Sequence, residues 1–176
     1  MKTVAVLFAH RTSPYKLFDL ADVYDEERDA LTFPGGLPVV AHPPCRGWGR
    51  LRHLSKHQQA ETELAIFAVD QVRRFGGVLE HPACSSLWPA AGLPAPGKRD
   101  SFGGLTYSIN QSWFGHRAPK LTWLYIVGAS ELPSVPFHLG VAPGLIKLMG
   151  RTEREKTPTE LAKWLFDLAQ SCKVAH

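Results

Sequence analysis

Short apolar runs bounded by turn residues alternate with helical spacing along the first half of the chain. Val4 to Phe8 follows a polar start and predicts a first strand; Ala21 to Tyr24 is a weaker second, closed by the acidic turn Asp25-Glu26-Glu27. Val39 to Ala41 comes after Gly35-Gly36 and stops at His42-Pro43-Pro44, where prolines end pairing and lift the chain off a sheet. From about Ser55 to Phe75 the spacing of Leu64, Phe67, Ala68, Val72 and Phe75 predicts a long helix, with Ser55 and Gln58 in a capping-box relation. Gly76-Gly77 terminates it, and Val78 to Glu80 predicts the next strand.

The second half is less regular. Residues Pro82 to Gly104 are rich in Pro, Gly and Ser and read as a long functional loop, with one helical turn near Ser85 to Trp88. Leu105 to Asn110 and Thr122 to Val127 predict two more strands, and Pro133 to Pro143 an extended linker. Thr157, Pro158 and Glu160 give the start of a last helix, whose buried stripe is Leu161, Trp164, Leu165 and Leu168. There is no internal repeat. Alternating strand and helix predict an α/β domain with a mostly parallel sheet and helices on both faces.

In such sheets ligands bind beyond the carboxyl ends of the strands. Phe8-Ala9-His10, Asp25, His42 to Cys45 and Glu80 to Pro82 would all lie there. Cys45 is a candidate nucleophile and Glu80 a candidate acid or base, offered to the same small substrate from two strand ends. Simpler readings stand beside these: Cys45 as an ordinary buried thiol, and Glu80 as half of an ion pair with Arg46 or Arg117. A further alternative is metal. His42-x-x-Cys45 and His81-x-x-Cys84 repeat one spacing, and two His with two Cys suit tetrahedral zinc, which would remove Cys45 as a free nucleophile.

Composition narrows the classes. At 176 residues, 44% hydrophobic and 20% charged, the chain fits one globular domain with a real core, residues 1–176. No apolar run reaches the ~18 residues of a membrane span. The start moves directly into a strand without a secretory pattern, which makes the cytoplasm the expected location. Three cysteines do not make a disulfide framework and read as free thiols. The net charge of +4 does not by itself indicate nucleic acid. Its distribution says more: Arg46, Arg50, Arg52, His53, Lys56 and His57 follow Cys45 with no acid among them.

These residues resemble a family. Pro43-Pro44-Cys45 followed by Arg-Gly-Trp-Gly resembles the Pro-Cys loop of DNA cytosine-5 methyltransferases, and Leu79-Glu80-His81-Pro82 resembles their Glu-Asn-Val motif, with Cys45 and Glu80 35 positions apart. Trp113 to Gly128 is similar to their Gly-x-x-Gln-x-Arg-x-Arg segment and the strand after it. The resemblance covers Val4 to Gly128 and is to a minimal, diverged member of phage type. It departs at Phe8 to Ser13, where the family has a Gly-rich turn and this chain has no glycine. The segment around Arg117 and Lys120 carries Leu121 and Trp123 where a second arginine is expected, and there is no separate target-recognition domain.

The resemblance implies a three-layer methyltransferase-type (Rossmann-like) fold and an enzyme that modifies a pyrimidine base in DNA. Cys45 would add to carbon 6 of cytosine while Glu80 holds and protonates N3, the thiol being activated by nearby Arg46 and His42. Pro44, Arg46, Trp48, Arg50, Arg117 and Lys120 would contact the substrate, Trp48 by stacking and the cations, with Arg52, through phosphates. S-adenosylmethionine would be the donor, lying over Phe8, His10 and Ser13, with Asp25 (or Asp22) on a ribose hydroxyl. The substrate would be DNA or a nucleotide, with a partner supplying target recognition and no membrane. Alternatives are a non-catalytic nucleic-acid-binding or inhibitory protein on the same fold, and the zinc-bearing domain.

Overall fold

The structure is a computed structural model that describes residues 1–49, 58–136 and 148–174. Six strands form one sheet: β1 (Val4–Leu7), β2 (Ala21–Val23), β3 (Val39–Ala41), β4 (Gly77–Pro82), β5 (Leu105–Asn110) and β6 (Leu121–Val127). The helices are α1 (Gln58–Phe75), α2 (Leu87–Ala90), α3 (Arg151–Glu155) and α4 (Thr159–Ser171). The strand order is β2-β1-β3-β4-β6-β5. β2, β1, β3 and β4 are parallel neighbours, whereas β6 runs antiparallel to both β4 and β5. The sheet is therefore mixed and mostly parallel. The reversal follows from the short connection between β5 and β6, which bends back through a 3-10 turn at Gln111–Phe114 instead of crossing over as a helix.

β1 and β3 are buried at every position, as expected of strands covered on both faces. Alternate side chains feed two cores. Val4, Val6, Val40, Val78, Leu124 and Ile126 pack with Leu161, Leu165 and Leu168 of α4. Ala5, Leu7, Val39, Ala41, Leu79 and Tyr125 pack with Ala65, Ala68, Val69 and Val72 of α1. Among the described residues no helix is long and apolar enough to cross a membrane.

Some boundaries differ from the sequence reading. The last helix takes Pro158 as its N-cap with no side-chain capping bond, so the Thr157–Glu160 box does not form. The short α3 was not anticipated, its five residues being all polar and carrying no apolar stripe. The proposed start of the long helix at Ser55, with the basic residues Arg50, Arg52, His53, Lys56 and His57, lies outside the described residues, as do residues 137–143 of the linker.

Two features set the geometry of the functional edge. Gly77 sits at φ +117, and a Cβ there would collide with the backbone of Val39, so this glycine permits the close approach of β3 and β4. The chain goes from β1 to β2 on one side and then to β3 on the other. The crevice beyond the carboxyl ends of β1 and β3 is thus a topological switch point, the place where open α/β sheets bind ligands.

Candidate active site

The register of β3 and β4 pairs Val40 with Val78 and Ala41 with Leu79. One step further, His42 and Glu80 stand beside each other on the face that Val40 and Val78 share. The His42 Nδ1 lies 3.1 Å from Glu80 Oε2, and Gln111 Nε2 donates to Glu80 Oε1 at 2.9 Å and to Thr122 Oγ1 at 3.0 Å. Behind His42, the Tyr15 hydroxyl lies 3.0 Å from Nε2. Tyr15 is wholly buried in the 3-10 turn Pro14–Leu17 that follows β1. Two side chains far apart in sequence, His42 and Gln111, thus meet one carboxyl group, with Tyr15 and Thr122 bonded behind them. Burial by itself pushes the Glu80 carboxyl up, but the hydrogen bond from His42 and the charge of Lys120 outweigh it and hold the group down to about 2. Glu80 rests as a carboxylate.

Cys45 follows His42-Pro43-Pro44 and begins a tight turn in which the amides of Trp48 and Gly49 both donate to its carbonyl. The residue is half-buried. Burial and then the Glu80 charge push its thiol up, with Lys120 pulling the other way. Cys45 therefore rests as a thiol, contrary to the expected activation by Arg46 and His42. Arg46 is drawn away into an ion pair with the buried Glu61 at 2.6 Å, and His42 is committed to Glu80 and Tyr15. Glu80 does not pair with Arg46 or Arg117; the latter pairs with Glu153 at 3.0 Å. Lys120 is close enough for its charge to act on both Cys45 and Glu80, and its Nζ donates to the Arg154 carbonyl at 3.1 Å.

The other face of the same edge differs. His81 points away from Glu80 into the core beside Trp88, ring centroids 6.3 Å apart. Burial drives it down to about 4, so it is neutral. Trp48 is buried on this face and, with Trp123, Pro89, Gly49, Cys84, Ser85 and Ser86, lines a cleft of about 250 Å³. Pro44 is half-buried beside Cys45. The four residues of the zinc reading do not gather. His42 has both ring nitrogens engaged, His81 is sealed in the core, Cys84 is exposed, and among the described residues no three His, Cys, Asp or Glu side chains form a metal shell.

The donor side is equally specific. Phe8 takes a left-handed backbone (φ 60) at the end of β1, as a glycine would, but its ring packs edge-on against Phe67. His10 is exposed and its Nδ1 contacts Thr12, while Ser13 is buried as the N-cap of the 3-10 turn. Asp25, expected on a ribose, accepts from the amides of Glu27 and Arg28 and pairs with Lys16. Asp22 is held by Arg28 and the Tyr24 hydroxyl. Both acids, Asp22 within β2 and Asp25 after it, are spent on the protein itself, so these residues do not fit an S-adenosylmethionine cradle.

Sequence reasoning missed Tyr15 and Gln111. Tyr15 had one signal, a tyrosine directly after Ser-Pro at the end of the β1 turn, and Gln111 none beyond its place at the end of a strand. The sequence matches no protein-family model and no curated protein. The functional reading rests on geometry.

Proposed function

We propose that this chain acts on a pyrimidine base of nucleic acid by reversible covalent addition, in the manner of the DNA cytosine-5 methyltransferases its motifs resemble, on a methyltransferase-type variant of the mixed sheet. The observation that carries the reading is a thiol in the turn after β3 and a braced carboxylate on the neighbouring parallel strand β4, next to the switch point and within electrostatic reach of each other.

The resting charge states give a balanced step. Glu80, a carboxylate, takes the proton of the Cys45 thiol. The sulfur forms a bond to carbon 6 of cytosine, the C5=C6 π electrons shift to C4=C5, the C4=N3 π electrons move onto N3, and N3 receives the proton from Glu80. The S–H bond breaks, the S–C6 and N3–H bonds form, and no outside reagent is consumed. Carbon 5 of the resulting enamine is nucleophilic and can accept a solvent proton before the thiol leaves. Lys120 stabilises the developing thiolate by its charge.

That chemistry has a readout independent of any donor. In deuterated water, the protein exchanges the C5 hydrogen of deoxycytidine in an oligonucleotide, followed by mass spectrometry, and Cys45→Ala and Glu80→Gln abolish the exchange. Calorimetry with S-adenosylmethionine measures the donor side separately. Wild type that gives no exchange on any cytosine-containing DNA or RNA strand overturns the enzyme reading. The commitment of Asp22 and Asp25 to Arg28 and Lys16 favours one second reading, a non-catalytic nucleic-acid-binding or inhibitory protein on the same fold.

A further inference from the structure

A carboxylate can only accept hydrogen bonds, and this fixes more than Glu80. Because His42 meets Glu80 through Nδ1, that nitrogen carries a proton. An imidazole with one proton then has Nε2 as an acceptor, and among the described residues the polar group within hydrogen-bond distance of Nε2 is the Tyr15 hydroxyl, which donates to it. The order Tyr15 Oη–H, His42 Nε2, His42 Nδ1–H, Glu80 Oε2 has one consistent direction of donation. Tyr15 has no exposed surface, and its ring is gripped by Phe18 and His42 at centroid separations of 5.6 and 5.5 Å, so its hydroxyl has no water to turn to. Burial, and secondarily the Glu80 charge, push its hydroxyl well up, which keeps it a donor.

We propose that Tyr15 is a positioning residue of this site: its hydroxyl locks His42 in the Nδ1–H tautomer and thereby keeps Glu80 turned and ionised to receive the Cys45 proton. The proposal rests on the pyrimidine reading for its chemical purpose, but not for its geometry. It also assigns work to the turn after β1. Where the donor-type glycines are missing, the Pro14–Leu17 turn instead carries the group that braces His42 and, through it, Glu80. The groups facing this line from the surrounding elements are Tyr15 on the 3-10 turn, His42 after β3, Glu80 on β4 and Lys120 before β6; Gln111 holds the second oxygen of Glu80, and His81 acts on it only by charge, from the opposite face of β4.

The test has two arms. Nitrogen-15 spectra of histidine-labelled wild-type protein at neutral pH show, for the resonance lost in His42→Gln, a protonated Nδ1 and an unprotonated Nε2. Tyr15→Phe keeps the ring, so the fold survives, but removes the lock: His42 then shows averaged tautomers or takes a second proton. In the same variant, C5 exchange slows roughly tenfold at saturating substrate with KM unchanged, the kinetic equivalent of one hydrogen bond, ~1.4 kcal/mol. A wild-type His42 in the Nε2–H tautomer, or a Tyr15→Phe protein with the wild-type spectrum, overturns the proposal. A fixed wild-type tautomer released in Tyr15→Phe, in a protein that performs no C5 exchange, supports the lock and removes only the pyrimidine reading.

Discussion

Glu80 and His81 are neighbours in sequence and sit on opposite faces of β4, and the protein holds the first charged and the second neutral. Glu80 finds donors on its face, from His42 and Gln111. His81 on the other face meets the Trp88 ring, and the Glu80 charge and the Pro44 carbonyl offset only part of the cost of burying it. One strand thereby splits two titrations by the simple alternation of its side chains.

For His81 the pKa falls from its ordinary 6.5 to about 4 on folding. Between those values the unfolded chain binds the proton and the folded one does not, so stability is full above pH 6.5 and declines as pH falls toward 4. The loss is on the order of 3 kcal/mol. Urea unfolding across this window should show that slope in wild type and a flatter one in His81→Phe.

Glu80 acts lower. Its folded value of about 2 lies below its ordinary 4.5, so its stabilisation is present above pH 4.5 and lost as pH falls toward 2. Glu80→Gln should narrow the acid dependence in that window alone, in circular-dichroism titrations of folding. His42→Gln should share the effect, since the same hydrogen bond is removed.

The three thiols should react in a set order. Cys84 is exposed and is alkylated first; Cys45, half-buried and pushed up, follows slowly and speeds up with rising pH. Cys172 is buried and pushed up to about 11, so it reacts only on unfolding. Peptide mapping after timed iodoacetamide treatment reads the order, and Cys84→Ser should remove the fast phase.

Arg73 of α1 clasps the long loop after β4. Its guanidinium donates to the Ala91 carbonyl at 3.0 Å and the Tyr125 hydroxyl at 3.2 Å, lies 3.5 Å from Asp100, and covers the Phe102 ring. Tyr125 in turn donates to Asp100 at 2.7 Å. Arg73→Ala leaves Asp100 without its cation and should cost about 3 kcal/mol, with faster proteolysis between residues 91 and 104.

Much of the architecture was legible locally. Val4 to Leu7, Val39 to Ala41 and Leu105 to Asn110 read as strands because a short apolar or alternating run between turn residues has few other uses. The Pro-rich loop was also legible, as was the single turn of helix at Leu87–Ala90 within it. The direction of β6 was not, because the same alternation serves either pairing. The pair Cys45 and Glu80 was legible as chemistry at strand ends, but Arg46 as its activator was not borne out. Sequence proximity suggested a contact that the Glu61 carboxylate takes instead.

The sequence by itself determined which strands exist, which face of each is apolar, and that a thiol and a carboxyl stand at one edge. Period and turn chemistry are properties of neighbouring residues, so they can be read along the chain. Only the tertiary structure decided the protonation of that pair. His42 and Lys120 come from segments far from Glu80 in sequence, and the charge on Glu80 is the sum of the His42 hydrogen bond and the Lys120 field set against the cost of burial. No local pattern contains that sum.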